Sequence, residues 1–191
     1  YLDVAVVTRQ APGTVIIRVQ PAVERFKMEY SGSWLVLSEQ LKVLRVEPAE
    51  PDNLVQLDAL LPEGAATTPG SFLTLDAPSE PTALATAMPG GTATPENADE
   101  ADMPQETPNE VLNELLGELD QYGLLDGTTV LTMQKMTELS FLYQGRVSVQ
   151  LGTANNLDYK IRFAAYIILD TGGDGLASSD RGTLDVPDQQ T

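Results

Sequence analysis

Hydrophobic and polar positions alternate along the first part of the chain. Val4 and Val6 alternate toward Thr8, the Ala11-Pro12-Gly13 turn reverses direction, and Val15, Ile17 and Val19 alternate back, which predicts a hairpin. Pro21 ends it. Phe26, Met28 and Tyr30 then share one face against Lys27 and Glu29, Ser31-Gly32 turns the chain, and Trp34 with Val36, or Leu35 with Leu37, leads on through Lys42 to Val46. The stretch predicts an antiparallel meander with one face buried.

Helical spacing appears after residue 106. Thr107-Pro108-Asn109-Glu110 has the spacing of a capping box with proline at the first helical position. Val111, Leu112, Leu115, Leu116, Leu119 and Tyr122 form an apolar face behind it, and Gly123 ends the helix. Leu124 and Leu125 lead through Asp126-Gly127 into a β-branched strand, Thr128 to Met133. Alternation resumes with Leu139, Phe141 and Tyr143, turns at Gln144-Gly145 and continues through Val147, Val149 and Leu151. After Gly152, Asn155 or Asn156 is placed to cap a second helix. Its apolar face is Leu157, Ile161, Ala164, Ala165 and Ile168, with Asp158 and Arg162 as an outward pair and Gly172-Gly173 as the stop. Gly182-Thr183-Leu184-Asp185-Val186 predicts a last short strand, so strand, helix and strand close one core at the end of the sequence.

The middle differs in composition. Between Arg45 and Lys135 there is no Lys or Arg, and Pro62 to Glu106 is rich in Pro, Thr, Ala and Gly around an apolar island at Phe72, Leu73 and Leu75. Such a stretch buries too little to offset its ordering entropy, and residues 47–106 are expected to form a mobile acidic insertion. The whole is a single α+β domain, mainly antiparallel sheet with two helices, carrying that disordered excursion. With 42% hydrophobic residues in 191 it has enough apolar mass for a core. It has no apolar run of membrane-spanning length, and because it opens on Tyr1 inside a strand pattern it is expected to be a fragment of a longer protein.

Charge and missing residue types narrow the chemistry. A net charge of -17 repels nucleic acid and anionic lipid from most of the surface. With no Cys and no His, Ser-His and Cys-His nucleophile pairs, the usual zinc sites and imidazole switches are excluded.

Two segments, Leu2 to Val46 and Glu110 to Val186, resemble the extracytoplasmic part of the bacterial cell-division protein family FtsQ, called DivIB in Gram-positive bacteria. Arg9-Gln10-Ala11-Pro12-Gly13-Thr14-Val15-Ile16-Ile17-Arg18-Val19 is similar to the family's segment at the end of its POTRA module. Val147-Ser148-Val149-Gln150-Leu151-Gly152, then Leu157-Asp158-Tyr159-Lys160 and the apolar helix, resemble its strand-LG-leucine-x-K-helix pattern, and Gly182 to Val186 its closing strand. Glu24-Arg25 after Pro21, and the acidic insertion, depart from the family pattern.

The resemblance implies that residues 1–20 end a truncated POTRA-like module and residues 21–191 form a β domain. It implies a cell-membrane protein with a single span outside this fragment and this domain extracytoplasmic. The role would be a non-catalytic scaffold without cofactor or metal, recruiting FtsL- and FtsB(DivIC)-like membrane proteins for septum formation. A terminal strand with an unpaired side can add an extended partner segment, so the candidate partner-binding residues are Thr183, Leu184, Asp185 and Val186, with Tyr159 or Lys160 near that edge. The same residues would also serve simply to complete a core sheet.

Other readings attach to short patterns. Asp170-Thr171-Gly172 after Ile167-Ile168-Leu169 looks like the signature of retroviral-type aspartic proteases, in which two carboxylates share a proton, although the preceding apolar residues have helical periodicity. Asp170, Asp174 and Asp180 lack the ligand alternation of a calcium loop and fit a solvated acidic loop better. Trp34 beside Tyr30 and Phe26 would suit a glycan-stacking surface of a cell-wall binder, though strand packing is the commoner use of such residues.

Overall fold

The computed structural model describes residues 2–11, 13–76, 107–169, 176–177 and 179–186, with the backbone alone for residues 2–5 and 20. Residues 77–106 of the expected insertion, the Asp170-Thr171-Gly172 motif, Gly173 and Asp174 lie outside the described residues.

The first hairpin forms as its alternation predicts. Strands β1 (Leu2–Gln10) and β2 (Thr14–Pro21) pair antiparallel, Val7 opposite Ile17 and Val6 opposite Arg18, as a two-stranded sheet of their own. Val6, Val7, Val15, Ile16, Ile17 and Val19 are exposed, so the ribbon is apolar on both faces.

The remaining strands build one eight-stranded sheet. These are β3 (Glu24–Tyr30), β4 (Ser33–Ser38), β5 (Val43–Glu47), β6 (Val55–Ala59), β7 (Thr128–Met133), β8 (Leu139–Tyr143), β9 (Val147–Gly152) and β10 (Gly182–Asp185), in the order β10-β9-β8-β7-β6-β3-β4-β5. Neighbours joined by tight turns are antiparallel: β3 with β4, β4 with β5, β7 with β8, β8 with β9. At the β8–β9 turn Gln144 and Gly145 both have positive φ, 51° and 63°, the backbone a two-residue hairpin turn needs. Three pairs are parallel: β3 with β6, β6 with β7 and β9 with β10. Two of them are joined by helical crossovers, the usual connection between parallel neighbours, and β3 reaches β6 through β4 and β5. The fold is α+β with a mixed sheet and two helices.

The expected mobile stretch from 47 to 106 needs correction at its start. Val55–Ala59 is not an excursion but the strand between β3 and β7, with Val55, Leu57 and Ala59 buried. Leu73 and Leu75 also enter the core, held by Asn109, which donates to the Leu73 carbonyl and accepts from the Leu75 amide. Acidic and proline-rich flanks hide five residues whose own alternation is that of a strand.

Both helices lie on one face of the sheet. Helix α1 (Pro108–Gln121) starts in the expected capping box: the Thr107 hydroxyl accepts from the Glu110 amide and the Glu110 carboxylate accepts from the Thr107 amide. Gly123, at φ 72°, donates to Asp120 O and lets Leu124 reach back to Leu119 O. Helix α2 (Leu157–Ile168) is bounded by Asn156, whose backbone is left-handed and whose side chain makes no capping bond, so the expected asparagine cap is absent. Asp158 accepts a 2.6 Å hydrogen bond from the Tyr122 hydroxyl and ties α2 to α1, while Arg162 stacks over Tyr159; the expected Asp158–Arg162 pair does not form. The Asp158 carboxylate holds the Tyr122 hydroxyl above its ordinary pKa. Under the helices lies one core of Phe26, Met28, Leu35, Leu57, Leu131, Phe141, Val149, Leu115, Leu119 and Ile161.

Candidate strand-docking edge

A sheet of eight strands has two edges, and they are finished differently. Along β5 the Gly70–Leu73 segment covers the rim: Val43 donates to Ser71 O and accepts from the Gly70 amide, and Leu73 donates to Leu41 O. Further along, Arg45 donates from Nε and Nη2 to the Glu24 carboxylate at 2.9 Å each and pairs with Glu47, and the Glu24 bonds hold the guanidinium pKa above its usual value. Charges and a covering segment are the usual ways in which an edge is protected. At the other rim, β10 pairs with β9 alone among the described residues.

Parity decides which groups of β10 face outward. Gly182 donates to Arg146 O at 3.2 Å and Val186 to Gln150 O at 3.0 Å, so the even-numbered amides point at β9. The period of two places the backbone groups of Thr183 and Asp185 on the free side. The four expected residues thus divide by the direction of their backbone groups. Thr183 and Asp185 present the edge, whereas Leu184 and Val186 are spent on β9 and the core, Val186 buried and Leu184 partly so.

The strand is held in place from one side. Arg146, just before β9, donates from Nη1 to Ala177 O at 3.0 Å and Asp180 O at 2.8 Å, and from Nε to Gln144 Oε1 at 3.1 Å. Asp180 closes the same turn, accepting from the Ala177 amide at 2.9 Å. Asp180 is therefore a turn-forming residue. Between the turn and the strand lies a hollow of about 150 Å³ lined by Val147, Leu176 and Leu184 and bordered by Asp180, Arg181, Gly182 and Thr183. Sequence reasoning missed Arg146; its only signal was a cation directly after a hairpin turn.

The other singled-out residues do not gather at this edge. Lys160 is fully buried, with Nζ donating to Thr153 O at 3.0 Å, so it is a core anchor for the segment entering α2 and not a partner-binding surface group. The cause is its place on the inner side of α2, beside Leu157 and Ile161. Tyr159 is half-buried and stacks on Phe163, ring centroids 6.3 Å apart. Phe26 and Tyr30 lie on the core face, whereas Trp34 pairs with Glu29 and lies on the opposite face, under the Lys27 ammonium 5.8 Å away. The three aromatics thus share no surface on which a glycan could stack. Ile167 and Ile168 belong to α2, so the run before Asp170 is helical and not the strand a retroviral-type protease motif would follow.

A larger hollow of about 620 Å³ lies at the starts of the parallel strands β3, β6 and β7, with Arg25, Gln56, Asp126 and Thr129 on its wall. The Lys27 ammonium on that wall is already taken by Glu50 at 2.6 Å and Pro51 O at 3.1 Å.

Comparison with protein-family models, with curated proteins and with solved structures finds no match to this chain.

Proposed function

We propose that this chain is a non-catalytic scaffold module that captures an extended segment of another protein on the free side of β10. The observation that carries it is the asymmetry of the sheet: β5 is covered by Gly70–Leu73 and charged side chains, while the outward groups of Thr183 and Asp185 meet no strand among the described residues. A row of free amides and carbonyls gives a partner strand its affinity, and the neighbouring side chains give it selectivity. Together with the resemblance to the FtsQ/DivIB β domain, this suggests partners of the FtsL and FtsB(DivIC) type. The setting would be a cell-membrane, single-pass cell-division protein with this domain extracytoplasmic.

Thr183→Pro tests the reading. Its amide points away from β9, so proline there removes an edge donor and keeps the β9 ladder, whereas Leu184→Pro breaks the ladder itself. Pull-down of FtsL- and FtsB-like partners is expected to fail with Thr183→Pro while its melting temperature stays close to that of the parent. Full capture by that variant would reject the edge.

A further inference from the structure

We infer that the segment received by β10 is basic and apolar in alternation, with a Lys or Arg opposite Asp185 and a large apolar side chain in the hollow beside Leu184; this rests on the edge reading above. Alternation along β10 puts Thr183 and Asp185 on the face of the sheet away from the helices, and Gly182 and Leu184 on the helix side. The outer row through Asp185 continues with Gln150, Ser140 and Thr132, and the row through Thr183 with Ser148, Leu142 and Val130. No Lys or Arg stands in either row across β7 to β10.

Asp185 is exposed, and its carboxylate makes no hydrogen bond or ion pair with the described residues. A strand laid beside it brings one side chain within cross-strand distance of that carboxylate, where opposite charges stabilise and like charges destabilise. The chain as a whole carries -17, so a cationic segment is also drawn in by the long-range field and an acidic one is repelled.

On the helix side the requirement changes. The hollow is open on one side, has Val147, Leu176 and Leu184 as its apolar lining beside Asp180 and Arg181, and offers about 150 Å³. An apolar cavity of roughly that size accepts a benzene-sized group, so a Leu or Phe side chain fits. An antiparallel segment would therefore read basic, apolar, polar, apolar, and a parallel one the reverse.

The test uses the whole chain, ¹⁵N-labelled, and two blocked peptides: Gly-Ser-Lys-Leu-Thr-Leu-Ser-Gly, and the same peptide with Glu for Lys. The Thr183 and Asp185 amide signals are followed during titration at low salt. The Lys peptide is expected to bind about two- to five-fold more tightly than the Glu peptide, the range a solvent-facing ion pair allows. Asp185→Lys should invert the order, and Leu184→Asp should weaken both. Equal binding of the two peptides, or an order that Asp185→Lys leaves unchanged, would overturn this chemistry and leave the edge reading standing. Binding of neither peptide, with Thr183→Pro still capturing a natural partner, would overturn both. A concentration-dependent dimer that shifts the same two amides would mean that a second copy occupies the edge, and would overturn the basic-segment inference.

Discussion

Replacing Arg146 by Met keeps the aliphatic stem and removes the guanidinium that donates to Ala177 O at 3.0 Å and Asp180 O at 2.8 Å. A hydrogen bond from a charged donor contributes about 1.5–3 kcal/mol. Arg146 is half-buried, and solvent screening reduces the pair to about 1–2 kcal/mol together. That loss falls on the attachment of β10 and not on the whole fold, because β10 and the residue after it give the core only Leu184 in part and Val186. Since about 1.4 kcal/mol is a factor of ten, detachment of β10 becomes about 5- to 30-fold more frequent. Amide hydrogen exchange reads this directly: the Leu184 and Val186 amides should lose protection by that factor, while Leu131 and Phe141 in the sheet centre keep theirs. Unchanged exchange at Leu184 and Val186 would show that the Arg146 bonds do not hold the strand. A uniform rise across β7, β8 and β10 would show that β10 is not separable from the rest.

Further outcomes are open to test. Gly127→Ala places a Cβ inside the Tyr143 ring and should cost about 1–3 kcal/mol in a denaturant titration, most of it recovered when Tyr143 is also cut to Leu. Lys160→Ala removes a fully buried stem and the ammonium on Thr153 O, and should lower stability by about 2–4 kcal/mol without changing partner capture by the folded fraction. The Thr107 backbone and hydroxyl bonds hold the Glu110 carboxyl below its ordinary 4.5. Its folded-state pKa is thus depressed, so its contribution is present above about pH 4.5 and is lost as pH falls below that value toward the folded one. The stability gap between parent and Glu110→Gln should shrink on acidification over that window, and a gap independent of pH would contradict the capping box as its source.

What was legible in the sequence is what is local. The capping box at Thr107, the apolar face of α2 and the Gln144-Gly145 turn each need only residues within a few positions, and each stands where its pattern places it. Strand β6 escaped because its neighbours are far away in sequence, at β3 and β7, and its Val55-Gln56-Leu57-Asp58-Ala59 alternation is embedded in acidic, proline-rich surroundings. That a final short strand would form could be read from Gly182 to Val186. Which of its amides face outward could not, because parity depends on the parallel register with β9. Lys160 misled because a lysine is outside by default, whereas here its stem is buried on the inner side of α2 and its ammonium donates to the Thr153 carbonyl.

The placement of β6 has a consequence for how the molecule holds together. The sheet is two halves, β5-β4-β3 and β7-β8-β9-β10, with β6 the seam that joins them and with both of its ladders parallel. Everything covalent between the halves beyond that seam passes through the stretch between Asp76 and Thr107. A polypeptide severed there would leave two complementary pieces, one ending in the seam strand and Leu75, the other beginning with the helix whose Asn109 receives it. Their reassembly, or its failure, measures how far that single inner strand is enough to stitch the two halves into one sheet.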